Sequence, residues 1–224
     1  MTTSIDEATD DRFLWKIGHA PASDVFSTSA TWDYLYPEGT KVDWYESVWI
    51  KGRIPKHSFI AWLNARDRLL TRDKLIRWGL SVPSHCLLCS NHAESRQHLF
   101  FDCSYSGELW QYFLDKAHLS SPSCFEDKLR WLKNPVRDRN IAQILRLAFQ
   151  ASVYLIWRER NSRLHSAVSK PVSLLLLEVK NILRIHLGHL TQTKDYPSGS
   201  HSLDHLVWSV SLMMWYLISV TFSV

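Results

Sequence analysis

Cys86, Cys89, His98 and Cys103 fall within eighteen consecutive positions, spaced C-x2-C-x8-H-x4-C. Thiolate sulfur and neutral imidazole nitrogen are the donors tetrahedral zinc takes, and four of them fill its coordination shell. Two cysteines two residues apart can grip one ion from a tight turn. The eight-residue gap then lets the chain loop back, so that His98 and Cys103 close the tetrahedron from the other side. A filled shell leaves no position for catalytic water, so the expected role of one Zn2+ is structural. Each ligand must shed a proton or present a free lone pair, which couples binding to pH and to folding of the loop. His85 and His92 are rival donors. They rank below His98 because His85 abuts Cys86 and His92 lies inside the return loop. Cys124 stands apart and reads as a small apolar core residue.

Closely spaced Cys and His point to metal rather than disulfides when the compartment is reducing. The polar, acidic opening MTTSIDEATDD has no apolar run of the kind that directs secretion. An intracellular setting, nucleus or cytoplasm, is the corresponding expectation.

The elements that must hold this loop are mostly helical by periodicity. Segments Thr28 to Tyr36 and Trp44 to Ile50 suit short helices separated by Pro37 and Gly39. Pro55 opens a clearer helix, in which Phe59, Ile60, Trp62, Leu63 and Leu70 are expected to share an apolar face with Arg66 and Arg68 at its edge. Thr71 can cap a helix over Arg72 to Trp78 that stops at Gly79. Beyond Cys103, Leu109, Trp110, Phe113 and Leu114 recur at helical spacing, and Ser123 with Glu126 forms a capping-box pattern. The stripe Ile141, Ile144, Leu145, Ala148, Leu155 and Ile156 traces a long helix to about Leu164, and Val172, Leu175, Leu176, Val179, Ile182 and Leu183 trace another that should pack on it. Phe13 to Ile17 and Val25 to Ser27, around a turn at Pro21 to Asp24, predict a short β-hairpin. The predicted fold is mainly α: a helical domain with a small N-terminal β-hairpin and an inserted CCHC zinc knuckle.

Charge is unevenly spread. Residues 1–50 carry a net −6, residues 51–78 have eight basic against two acidic residues, and residues 128–170 have ten against two. Two basic blocks thus flank the cysteine loop. Read as a polyanion surface, they nominate Lys56, Arg66, Arg68, Arg72, Arg158, Arg160 and Arg163 as contacts to RNA or DNA. Read otherwise, they are solvated helix faces. Eleven tryptophans in 224 residues are expected mainly to anchor a core.

The run Glu94-Ser95-Arg96-Gln97-His98-Leu99-Phe100-Phe101-Asp102-Cys103 resembles the E-S-x-x-H-L-F-F-x-C motif of the zinc-binding domain that follows reverse transcriptase in plant LINE-type retrotransposons. Asp24 to Ser27, Trp44 to Trp49, Ile54 to Trp62, Leu69 to Leu75 and Ile156 to Asn161 are similar to other elements of that family. A glycine usual before the family's Phe-Ser pair is replaced here, which bears on the hairpin turn. The resemblance spans about Asp11 to Leu190. It implies a non-catalytic, zinc-binding accessory domain with Cys86, Cys89, His98 and Cys103 as ligands.

The domain organisation expected from these signals is a disordered leader over 1–11, a zinc-binding domain over 12–120, a helical extension packing on it over 121–190, a linker over 191–205 and an uncharged apolar tail over 206–224. The tail is near the length of a membrane span but diluted by Ser and Thr. No enzyme is expected: the one adjacent aspartate pair, Asp10-Asp11, lies in the polar leader, no phosphate loop or nucleophile elbow is present, and His165, His186 and His189 lack an identifiable partner. No small-molecule substrate is implied. Three readings stay open: a zinc-stabilised module contacting RNA or DNA, a structural or protein-interaction remnant, and a form tethered to a membrane by 206–224.

Overall fold

The computed structural model describes residues 13–37, 42–166 and 168–192. The chain divides into two compact units, Met1–Val42 and Asp43–Val224. In the first, Ser27 caps α1 (Thr28–Leu35) by accepting from the Ala30 amide. Trp15 donates to Thr31 Oγ1 at 3.1 Å and meets Phe26 edge-on at 4.7 Å, which ties the preceding turn to this helix.

The predicted hairpin does not form. The described residues contain no β-strand, and in its place Trp15 and Ser23 make a single antiparallel bridge. The cause is local. The Val25 amide, which would carry the ladder onward, donates instead to Ser23 Oγ at 3.0 Å. Two residues later Ser27 already caps a helix, so the chain leaves the extended region before a second pair can form.

The second unit holds α2 (Tyr45–Val48), α3 (Pro55–Ala65), α4 (Arg72–Arg77), a π turn (His98–Asp102), α5 (Ser104–Ala117), α6 (Phe125–Leu132), α7 (Arg139–His165) and α8 (Val172–Gln192). Helix α7, about 40 Å long at ~1.5 Å per residue, starts where the Asp138 carboxylate accepts from the amides of Asn140 and Ile141. It packs on α2, α3, α5, α6, α8 and the π turn. Phe149 stacks on Phe101 at 6.0 Å and takes the edge of Trp110 at 5.5 Å, while Leu155 and Ile156 join Leu175, Val179 and Leu183 of α8 in the core. The pairing of the two long helices follows their apolar stripes as expected.

Several local readings differ from the structure: Thr71 holds the cap position of α4 but turns its hydroxyl to Asp73 rather than to a backbone amide, and Leu70 lies beyond α3, exposed. The capping box at Ser123 and Glu126 is absent. The cap position of α6 is Cys124, exposed rather than buried, and the open amide of Phe125 donates to Gln97 Oε1 at 3.0 Å. Helix α3 is rotated from the expected face, keeping Ile60 and Leu63 against the core. It buries His57, Ser58, Ala61 and Asn64 against α7, leaving Phe59 half-exposed. Small side chains at 58 and 61 let two helices approach closely, and that contact outweighs the pull of the aromatic stripe. Among the described tryptophans only Trp110 is fully buried.

Helix α8 runs two residues into the expected linker; the rest of that linker, the leader 1–11 and the tail 206–224 lie outside the described residues. No described helix is long and apolar enough to cross a membrane.

Candidate metal centre

The loop after α4 folds back on itself through a bridge between His85 and Ala93, with the Cys86 amide donating to His92 O at 2.7 Å and the Glu94 amide to Ser84 O at 2.8 Å. Between these pairs the chain makes a tight turn. Ser90 adopts a positive φ of 61°, its amide reaches Cys86 O, and the Leu88 amide points at Cys86 Sγ at 3.4 Å. Amides aimed at a sulfur favour its thiolate form.

The π turn supplies the other half. Its wide repeat brings the Cys103 amide onto His98 O at 2.8 Å, five residues back, and the Ser95 hydroxyl accepts from the His98 amide to fix where the turn begins. Cys103 then becomes the cap residue of α5, with the backbone amides of Tyr105 and Ser106 directed at its sulfur. A helix start is a favourable place for a thiolate.

These turns bring the donor atoms of Cys86, Cys89, His98 and Cys103 within 4.8 Å of one another. Cys86 Sγ lies 3.9 Å from Cys103 Sγ, and Cys89 Sγ lies 3.3 Å from His98 Nε2. A disulfide would need about 2.05 Å, and the cysteines are free thiols. A tetrahedron with Zn–S near 2.3 Å and Zn–N near 2.05 Å has S–S edges of about 3.8 Å and S–N edges of about 3.5 Å. The residues therefore fit the group in both donor type and spacing. His85 and His92 stay exposed, and the His92 ring lies 5.3 Å from that of His98.

The two buried sulfurs lie within hydrogen-bonding reach of each other. The hydrogen bond from Cys86 pulls the Cys103 thiol below the ordinary thiol range, while the same bond and then burial push Cys86 above it. A second thiolate so close to the first needs a cation to offset it.

The loop is fastened to α7 by charge. Glu94, 1% exposed, accepts from Arg160 Nη2 at 2.8 Å and from the Arg72 amide at 3.0 Å, and its second oxygen faces the Leu87 amide. Arg163 donates to the carbonyls of Leu87 and Leu88 and pairs with Glu159 at 2.9 Å. Glu159 in turn accepts from the Lys170 amide. Carboxylate and guanidinium are both desolvated, so removing either partner strands the other.

This changes the standing of the basic residues nominated above. Arg160, 3% exposed, is committed to Glu94 and offers no phosphate contact. Arg163 is engaged with Glu159 and the loop carbonyls, Arg158 pairs with Glu178, and Arg72 donates to His85 O. Lys56, Arg66 and Arg68 remain exposed, with no carboxylate within ion-pair distance among the described residues. Sequence reasoning missed Glu94 as a buried anchor. The available signal was Arg160, one turn beyond Ile156 and so close to the buried stripe of α7.

A helical module organised around a three-cysteine, one-histidine cluster able to coordinate a metal ion is the class these features define. Residues 26–110 match the family described as zinc-binding in reverse transcriptase, a non-catalytic zinc-binding motif. The match contains all four cluster residues, covers well under half of the chain, and does not speak to a plant or LINE-type origin. No curated protein and no solved structure matches the chain.

Proposed function

We propose that this chain is a non-catalytic accessory module of retroelement descent, in which Cys86, Cys89, His98 and Cys103 hold one structural Zn2+ as a CCHC knuckle and the free basic surface contacts RNA or DNA. The observation that carries the metal half is the set of four soft or borderline donors within 4.8 Å of one another, two pairs of them near the edge lengths of a zinc tetrahedron. Bound zinc supplies cross-linking and charge compensation. The chain does the rest: the π turn sets the reach of His98 and Cys103, the helix start holds Cys103 as a thiolate, and Arg160 with Glu94 keeps the loop on α7.

Purified full-length protein should contain zinc in a 1:1 ratio, lose it on Cys103→Ser or Cys86→Ser, and lose loop structure on chelation. Zinc binding of this kind is worth on the order of 10 kcal/mol, so a fold indifferent to chelator sinks the assignment. For the nucleic-acid half, affinity for RNA or DNA should fall steeply with added salt. Absence of salt-sensitive binding would leave the second reading, a structural or protein-interaction remnant. That reading draws on the internal pairing of Arg158, Arg160 and Arg163.

A further inference from the structure

Helix α3 faces its core neighbours with His57, Ser58, Ala61 and Asn64, and so carries its aromatic residues on the other side. Phe59 is 50% exposed, its ring 5.7 Å from that of Trp62, and Trp62 lies 6.5 Å from Trp49. The three rings form a ladder in the second unit, with successive tilts of 31° and 47°, that runs from exposed Phe59 inward to the partly buried Trp62 and Trp49. Cations lie near it. The Arg53 guanidinium lies 5.4 Å over the Trp49 ring, exposed Lys56 precedes Phe59 by one turn with its ammonium 5.4 Å over the Tyr154 ring of α7, and exposed Arg66 follows Phe59 by two turns. Among the described residues no carboxylate lies within ion-pair distance of Arg53, Lys56 or Arg66.

We propose that this face binds single-stranded nucleic acid, the Phe59–Trp62–Trp49 ladder stacking on unpaired bases while Arg53, Lys56 and Arg66 neutralise the phosphates beside them. The inference rests on the nucleic-acid reading above and adds to it a surface, a strand state and a mode of contact. A ring half-open to solvent gains most from a flat partner with its own face exposed, and bases in a duplex are already stacked. Cations left without internal acids are suited to a polyanion. An apolar protein partner would match the rings but leave those charges unanswered.

The test uses the zinc-loaded full chain and fluorescence anisotropy with labelled oligo-uridine, oligo-thymidine and a mixed-sequence duplex, each of about a dozen nucleotides per strand, across a salt series. Single strands should bind more tightly than duplex. Phe59→Ala and Phe59→Leu should each weaken single-strand binding about tenfold without changing its salt slope, and Phe59→Trp should restore it. Arg53→Gln, Lys56→Gln and Arg66→Gln should instead each lower the slope by about 0.7. Circular dichroism and zinc content check that each variant remains folded.

Salt-sensitive binding that is unchanged in Phe59→Ala overturns the assignment of this face and leaves the broader reading standing. Phe59→Leu binding as well as the parent overturns stacking. Equal affinity for a polyglutamate peptide overturns the nucleic-acid specificity of the face. No salt-sensitive binding to any strand overturns this proposal together with the nucleic-acid half of the reading above.

Discussion

The basic residues of 51–78 and those of 128–170 look alike in sequence and differ in how many the fold engages. In the later block six of the ten, Arg130, Lys133, Arg158, Arg160, Arg163 and Lys170, meet carboxylates, several drawn from distant positions such as Asp43, Glu46 and Glu94, while Arg137 and Arg139 stay exposed with no ion pair among the described residues. In the earlier block only Lys74 and Arg77 do so, while Lys51, Arg53, Lys56, Arg66 and Arg68 stay exposed with no carboxylate partner among the described residues, Arg53 lying over the Trp49 ring and Lys56 over that of Tyr154. Most of the later block joins parts of the chain to each other. The other is left available to something outside the chain. Net charge along a sequence therefore says little about a binding surface until the internal acids have been assigned.

Substitutions can break or sharpen this contrast. The largest effect should come from Arg160→Ala, which strands the Glu94 carboxylate in the interior. Loss of one partner of a buried pair costs about 3–5 kcal/mol, readable as a lowered denaturant midpoint together with weaker zinc retention. A midpoint within error of the parent would show that the later block does not hold the loop.

His57 tests the place where the two blocks meet. Burial first, then the positive charges of Lys56, His186 and Arg158, hold its imidazole down at about 4 against an ordinary 6.5. Neither ring nitrogen has a hydrogen-bond partner, and the ring lies 4.5 Å from that of Tyr154. The folded state thus resists a proton that the unfolded chain accepts. This contribution to stability is full above about pH 6.5 and drains as pH falls toward about 4, a loss of about 3 kcal/mol. His57→Phe, which cannot titrate, should be less acid-sensitive by that amount. The difference between variant and parent isolates it from the acid sensitivity of the metal centre, common to both, and parallel pH profiles would refute it.

The smallest effects belong to exposed positions. Arg158→Ala removes an outer ion pair with Glu178 and should cost no more than about 1 kcal/mol. Arg66→Ala should change the unfolding free energy from urea titration by less than about 0.5 kcal/mol. A large destabilisation by Arg66→Ala would mean that the earlier block is structural after all.

The metal cluster was legible because its four donors are local: eighteen residues contain the whole shell, and two turns suffice to close it. Helices α7 and α8 were legible because their stripes repeat over many turns. The face of α3 was not. Phe59 and Trp62 carry the stronger apolar signal, but the small residues at 58 and 61 decide which side can come close to α7. Also hidden were the Glu94–Arg160 pair, 66 residues apart, and the Gln97 cap on α6, 28 residues from the amide it satisfies. Such contacts are made by tertiary proximity, which no local pattern encodes. The hairpin failed for a smaller reason, a serine hydroxyl competing for one amide.

The π turn from His98 to Asp102 acts as a gauge block. Its bond from Cys103 back to His98 spans five residues, one more than an α-helical turn would use, and its middle members Leu99 and Phe100 are themselves wholly enclosed. Shortening Leu99–Asp102 by one residue would swing Cys103 to another side of the chain and withdraw a hydrophobic plug in the same stroke. Ion capture and interior assembly are thereby tied to a single length, and neither can be retuned without the other.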